Sequence, residues 1–332
     1  MGRIGLGLLG ASALMLLVAC GGDEPQEGSL PLQGGGGNVA AVPPLFVPMP
    51  VGTPRDTGPV LQNVPGAEVR TPLPAPSALP PVPLDPDSRP EVSARAAVVV
   101  DEASGAVLYE KNGYQPLSPA STTKIATAIL AIEQGNLDAV VQTDVDSKRM
   151  TGSTVMGLEP GDRFTLRDLL YGLLLPSGND AALAIGRSIS GSDSAFVGEM
   201  NELLFRMGMD TAHFTNPHGL GGRGHVISAR DLAMLARYAM TLPEYREIML
   251  APSHRASGSR DIDLISLNSF TFSYPGADGA KVGYTRSAGR TLVASATRYG
   301  HRLYVVVLNA QARDEDAARL LDWAFANHRW PD

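Results

Sequence analysis

A single cysteine, Cys20, in a chain of 332 residues excludes an intramolecular disulfide and any thiolate-built metal centre. The six histidines include no close pair of the His-x-x-x-His kind, so no metal or cofactor is expected. Two tryptophans and a formal net charge of −7 supply neither a stacking platform nor a basic surface, and nucleic acid is not expected as a partner. A phosphate-binding P-loop is missing. Gly5-Leu6-Gly7-Leu8-Leu9-Gly10 matches a dinucleotide fingerprint by letters only, because it lies inside an apolar leader. No repeat of solenoid period is evident.

Proline and glycine, by contrast, are abundant and unevenly placed. Arg3 precedes the apolar run Ile4 to Ala19, which is short for a membrane span and ends in small residues, so residues 1–19 read as a secretory signal. The run stops at Leu17-Val18-Ala19-Cys20-Gly21, which resembles the bacterial lipoprotein processing box. That resemblance implies cleavage before Cys20 and lipidation of it. Residues 20–90 then form a lipid-anchored linker. Its stretch 21–90 holds 17 of the 26 prolines and a Gly34–Gly37 run, a composition that argues for a disordered tether rather than a domain. Its reach lies between about 50 Å as a flexible coil and roughly 200 Å as extended polyproline. The implied location is the bacterial cell envelope, exported and held on a membrane by lipid.

The folded part is expected from about Glu91, giving a catalytic domain over 91–332. Ala97–Asp101 and Val107–Glu110 are β-rich runs around a Glu102–Gly105 turn, a hairpin by its signals. A helical middle follows. Thr165 reads as the N-cap of Leu166–Leu175 with Asp168 three residues on; Ser194–Met207 and Ser228–Met240 are further helices, the latter capped by Ser228. Ala280–Thr285, Thr291–Thr297 and Leu303–Asn309 read as strands, and Asp314–Asn327 as an amphipathic helix. The expected class is α+β: one antiparallel five-stranded sheet in which the early hairpin joins the late strands. Helices cover both faces, and a mostly helical subdomain is inserted.

Ser121 stands at the start of the apolar helical run carrying Ile125, Ile129 and Ile132, with Lys124 one turn deeper on the same face. A serine hydroxyl becomes a nucleophile when a base takes its proton, and a lysine kept neutral by burial or by another cation can be that base. Alone, Ser-x-x-Lys is weak, because many helices start with serine. Two further motifs follow in order: Ser177-Gly178-Asn179 in a loop between helices, and Lys281-Val282-Gly283 opening a strand.

This ordered set resembles the D-alanyl-D-alanine carboxypeptidases, the low-molecular-mass penicillin-binding proteins. So do the surrounding Leu174-Leu175-Pro176-Ser177-Gly178-Asn179-Asp180, Thr215-Asn216-Pro217-His218-Gly219-Leu220 and Asp278-Gly279-Ala280-Lys281-Val282-Gly283-Tyr284-Thr285. The resemblance covers about residues 91–330. It implies that Ser121 forms an acyl-enzyme, Lys124 is its base, Ser177 passes the proton to the leaving amine and Asn179 holds a substrate amide. It further implies that Lys281 supplies positive charge, Gly283 lets the substrate lie against the strand, and the N–H groups of Ser121 and Tyr284 form an oxyanion hole. The implied partners are peptidoglycan stem peptides ending in D-Ala-D-Ala, with β-lactams as inhibitors.

Val282 stands where the family has threonine, whose hydroxyl meets the substrate carboxylate. Strand alternation puts 282, 284 and 286 on one side, so Tyr284 and Arg286, with Thr285 between them, are candidate substrate contacts, and Arg286 is expected to replace the lost donor. The same departure keeps a D,D-endopeptidase and a silent wall-binding relative in view. A serine β-lactamase needs a Glu-x-x-x-Asn loop after Asn179; no such pattern follows it, and Glu199 and Glu202 fall inside a helix. His218 reads as structural and Asp180 as the cap of a helix from Ala181; Arg223 and His225 stay open between substrate contact and solvent.

Overall fold

The computed structural model describes residues 75–331, all within the unit Glu68–Asp332. The leader, Cys20 and most of the Pro/Gly-rich stretch lie outside the described residues. The strands are β1 Val82–Pro83, β2 Ala96–Asp101, β3 Val107–Lys111, β4 Val140–Gln142, β5 Arg163–Thr165, β6 Ser253–Ser257, β7 Asp261–Ile265, β8 Ala277–Thr285, β9 Gly289–Arg298, β10 His301–Ala310 and β11 His328–Arg329. The α-helices are α1 Lys124–Gln134, α2 Leu166–Leu174, α3 Asn179–Ser190, α4 Asp193–Arg206, α5 Ala229–Ala239, α6 Pro243–Leu250, α7 Ser269–Ser273 and α8 Arg313–Asn327.

The apolar run of β2, Ala-Ala-Val-Val-Val, is buried on both sides. Ala96, Val98 and Val100 enter one core with Tyr304, Val306 and helices α1 to α6. Ala97 and Val99 enter a second core with Leu303, Val305 and the Leu320/Leu321 face of α8. Alternation along a strand thus feeds two cores, and neither face can be polar. Each fully buried Val or Leu contributes about 1.5–3 kcal/mol, so this two-sided burial makes the sheet centre the stiffest support available to a site beside it. The five strands run β3-β2-β10-β9-β8, with every neighbour antiparallel. The early hairpin joins the late strands as expected, and the helical subdomain sits between β3 and β8.

Local signals placed most helix starts. The Thr165 hydroxyl accepts the N–H of Asp168, and Ser228 accepts that of Asp231. Two boundaries differ from the sequence reading by three residues or more. Order extends back past Glu91: Val82 and Pro83 pair with Arg329 and His328, and the Trp323 indole donates to the Ser88 carbonyl. Two residues carry no periodicity, and proline at a sheet edge needs no donor, so nothing in the sequence marked that strand. Strand β8 starts three residues earlier than expected, at Ala277, across a bulge. It ends at Thr285, the end read from the sequence: residues 286–288 form the turn into β9 and Gly289 has φ +67°. Arg286 is exposed in that turn, so the expected alternation stops before reaching it.

Candidate active site

Pro119 accepts from two hydroxyls at its carbonyl, Thr122 Oγ1 at 2.8 Å and Thr291 Oγ1 at 3.0 Å, which tie the approach to α1 to the sheet. The chain then bends sharply. Ala120 has φ +51°, a left-handed conformation that costs an L-residue about 1–2 kcal/mol. A 3-10 turn, Ala120–Thr123, runs into α1, so Ser121 lies in the turn and Lys124 at the head of the helix, fully buried.

Lys124 Nζ sits 3.0 Å from Ser121 Oγ, 2.6 Å from Asn179 Oδ1 and 2.8 Å from the His218 carbonyl. The last two can only accept. A neutral amine has two hydrogens, and giving them to Asn179 and His218 leaves its lone pair for the serine hydroxyl. Burial, and next the Lys281 ammonium, hold the Lys124 pKa well below the usual lysine value. That is the condition for lysine as a base at neutral pH.

Ser177 occupies the loop between α2 and α3, again with positive φ, +62°, and its carbonyl accepts from Thr154 Oγ1 at 2.7 Å. Strained backbone at both serines is stabilised by the surrounding bonds. Lys281 Nζ donates to Ser177 Oγ and to the Val282 carbonyl, each at 3.0 Å. Burial, with Arg313 beside it, lowers the Lys281 pKa to about 7. Helix α3 begins at Asn179 with Gly178 as N-cap, two residues before the expected start; the Asp180 carboxylate accepts the Ala181 N–H in the first turn and in addition the N–H groups of Met156, Gly157 and Leu158, holding the loop behind Ser177.

Strand β8 is an edge strand, and its free edge faces the nucleophile turn. The Val282 N–H leaves the sheet to reach Asn268 Oδ1 at 3.2 Å. By the alternation of an antiparallel ladder the Tyr284 N–H projects from the same edge, as an oxyanion-hole donor requires. At Gly283 a Cβ would stand 2.5 Å from Thr291 Oγ1 and 2.9 Å from Ser121 N, so glycine lets the strand approach the nucleophile turn. Gly219 does the same from the other side, where a Cβ would lie 1.8 Å from the Ala120 carbonyl oxygen and φ is +83°.

The structure gathers Ser121, Ser177, Asn179, Gly283, Tyr284 and Thr285 around one cleft, with Val282 in its wall. The buried amines of Lys124 and Lys281 reach its two serines from behind. Arg286 is not among its walls; Arg313, at the start of α8, is. No motif pointed to Arg313, which lies far along the chain from Ser121 and Ser177 and returns to the cleft through the β9–β10 hairpin. Asn268 was missed as well: its Nδ2 donates to the Leu174 carbonyl while its Oδ1 holds Val282. His218 is structural as expected, since its Nδ1 accepts the Leu220 N–H, burial holds its pKa near 3 and its carbonyl serves Lys124. Arg223 is exposed and His225 is buried behind the turn.

A serine facing a buried amine of lowered pKa, a second serine under a second lysine and an open sheet edge beside them are the arrangement of the serine acyl-transfer class to which penicillin-binding proteins belong. Within it, residues 85–312 match the S11 peptidase family, described as D-alanyl-D-alanine carboxypeptidase, and the chain belongs to that family. It is similar to the D-alanyl-D-alanine carboxypeptidases DacF of Bacillus subtilis (36% identity, covering 71% of this chain and 63% of that one) and DacB2 of Mycobacterium tuberculosis (35%, covering 71% and 84%). The chain therefore spans less than two thirds of DacF. Among solved structures, a mutant Streptomyces K15 DD-transpeptidase aligns with TM-score 0.69 at 30% identity, covering 72% of this chain and all of that one. A Mycobacterium tuberculosis D-alanyl-D-alanine carboxypeptidase aligns with TM-score 0.69 at 33%, covering 74% and 95%.

Proposed function

We propose that the chain is a serine-type D-Ala-D-Ala carboxypeptidase acting on peptidoglycan stem peptides and acylated by penicillins. The observation that carries this is the Ser121–Lys124 contact of 3.0 Å with both other Lys124 partners restricted to accepting. Lys124 takes the hydroxyl proton as Ser121 Oγ attacks the penultimate carbonyl, and the resulting oxyanion meets the N–H groups of Ser121 and Tyr284. Ser177, bonded to Lys281, relays the proton taken by Lys124 to the departing D-alanine amine, which leaves Lys124 neutral again. Water then attacks the ester with Lys124 as base and returns the proton to Ser121. Arg313 and Lys281 face the substrate carboxylate. Incubation with a peptide ending in D-Ala-D-Ala, scored for released D-alanine, tests the reading. Absence of release together with penicillin hydrolysis at many turnovers per second would make the protein a β-lactamase instead.

The two lysines set an expected pH dependence. The reaction needs Lys124 neutral and Lys281 charged, so activity rises with pH as Lys124 loses its proton and falls as Lys281 loses its own. Because Lys281 is lowered to about 7, kcat/KM for a carboxylate-ending peptide should decline from about pH 7 upward. In kcat the decline should come later, because the bound carboxylate holds the Lys281 proton. A kcat/KM plateau extending past pH 9 would contradict the assignment.

We further propose that Cys20 carries lipid and that the Pro/Gly-rich stretch between it and about residue 74 tethers the domain in the envelope, since residues 82–88 belong to the folded part. The sole cysteine stands at the one position a lipoprotein box demands. Among the described residues no helix is long and apolar enough to cross a membrane. Cys20→Ala is expected to move the protein to the soluble fraction while the purified domain keeps its activity. Membrane retention of the variant in high salt, with the leader cleaved, would place the anchor elsewhere.

A further inference from the structure

His225 lies 2% exposed behind the nucleophile turn, in a loop closed by the His213–Val226 bridge and tied to the segment before that turn by the Leu117–Ile227 bridge. Its ring stacks on Phe214 at 5.0 Å. Nδ1 is 3.0 Å from the Thr215 backbone N–H, which can only donate, so Nδ1 is the acceptor and the ring proton is on Nε2. Nε2 in turn is 2.8 Å from Thr123 Oγ1, and that hydroxyl donates to the Ala120 carbonyl at 2.8 Å. Donor and acceptor capacity therefore fix one direction along the chain of bonds: Thr215 N–H to Nδ1, Nε2–H to Thr123 Oγ1, Oγ1–H to Ala120 O. Burial, and next the charge of His213, lower the His225 pKa to about 4, which keeps the ring neutral and this direction intact at neutral pH.

The end of that chain matters because of what Ala120 O belongs to. The Ala120 carbonyl and the Ser121 N–H are opposite ends of one planar trans peptide, so fixing the oxygen fixes the direction of the N–H. The same peptide follows the left-handed Ala120, whose backbone has reason to relax once released. We infer that His225 is a positioning residue: through Thr123 it locks the Ala120–Ser121 peptide so that the Ser121 N–H points at the developing oxyanion. This rests on the acyl-transfer reading above. If native protein is not acylated by penicillin at all, that reading fails; if native protein is acylated and the variants below behave like it, only the present inference fails.

The test is the pre-steady-state acylation of the full folded domain by a chromogenic penicillin or cephalosporin, separated into the dissociation constant of the initial complex and the limiting acylation rate. His225→Asn keeps an acceptor near Nδ1 and loses the Nε2 donor. Its limiting rate is expected to fall about 10-fold with the dissociation constant within threefold of native. His225→Gln places an amide N–H near the Nε2 position and should restore the rate to within threefold. A purely structural histidine would instead lower the melting temperature and the fraction of active protein, leaving the rate per active site unchanged for both variants. Thr123→Val cuts the same link without touching the histidine, and decides the matter if His225→Asn does not fold. A limiting rate for Thr123→Val within threefold of native, or a Gln variant no faster than the Asn variant, overturns the inference.

Discussion

Ser121→Ala is expected to abolish both labelling by penicillin and release of D-alanine, with kcat falling by about 10⁴-fold or more. The variant removes the only atom in the cleft that a neutral Lys124 can activate at 3.0 Å, since its other partners are acceptors without a proton to give. Ser177 cannot substitute. Its hydroxyl is bonded to Lys281, and its backbone is fixed at a positive φ by the Thr154 bond. The fold should be unaffected, because the Ser121 side chain has no part in either core. The assay is mass mapping of the labelled peptide alongside thermal unfolding. A label on any other serine, or residual turnover at a hundredth of the native rate, would remove Ser121 from the role.

Arg313→Ala is expected to lower kcat/KM for a carboxylate-ending peptide by about 10- to 150-fold, the equivalent of roughly 1.5–3 kcal/mol for a hydrogen bond to a charged group. Acylation by a substrate whose terminus is a neutral ester should change little. The reason is that Val282 presents no hydroxyl in the cleft wall, while Arg313, whose guanidinium is paired with Asp314, lines the cleft near Lys281 and is proposed to meet the carboxylate by exchanging that partner. A second readout comes with it. Arg313 depresses the Lys281 pKa, so its removal should move the alkaline limb of kcat/KM to higher pH. Val282→Thr should recover part of the loss in the Arg313→Ala background, and Arg286→Ala, in the exposed turn, should do nothing. If Val282→Thr alone raises activity tenfold in the native background, Arg313 is not serving the carboxylate. A substrate without a free terminus, such as a cross-linked peptide, then becomes the better reading.

The parts legible in the sequence were those specified by residues close together in the chain. Continuous apolar runs gave β2, β9 and β10, cap residues gave the starts of α2 and α5, and the Ser-x-x-Lys spacing put nucleophile and base on one turn. The parts that were not legible depend on residues brought together from far apart. Asp180 has the sequence context of a helix cap, yet its carboxylate is also used by a loop more than twenty residues earlier. Arg286 looked like a cleft residue because the alternation was continued one step past the strand's end; a glycine three residues on was the available clue. Arg313 had no clue at all, and His225 could not be placed because its partner Thr123 belongs to the nucleophile turn, about a hundred residues earlier in the chain.

In the sheet β2 is flanked by β3 and β10, so Val98 is paired with Val306, about two hundred residues later in the chain. Such a contact has to close a very long loop, which makes the central strand pair a late event in folding. As the chain is synthesised, Ser121 and Lys124 appear early, while Lys281, Tyr284 and Arg313 come only in its last fifth. The helical middle can collapse in the meantime, but the strand that completes the oxyanion hole is not yet present. The nucleophile is therefore inert for most of the chain's time as an incomplete polypeptide. It gains reactivity in one step, when β8, β9 and β10 dock against the waiting hairpin.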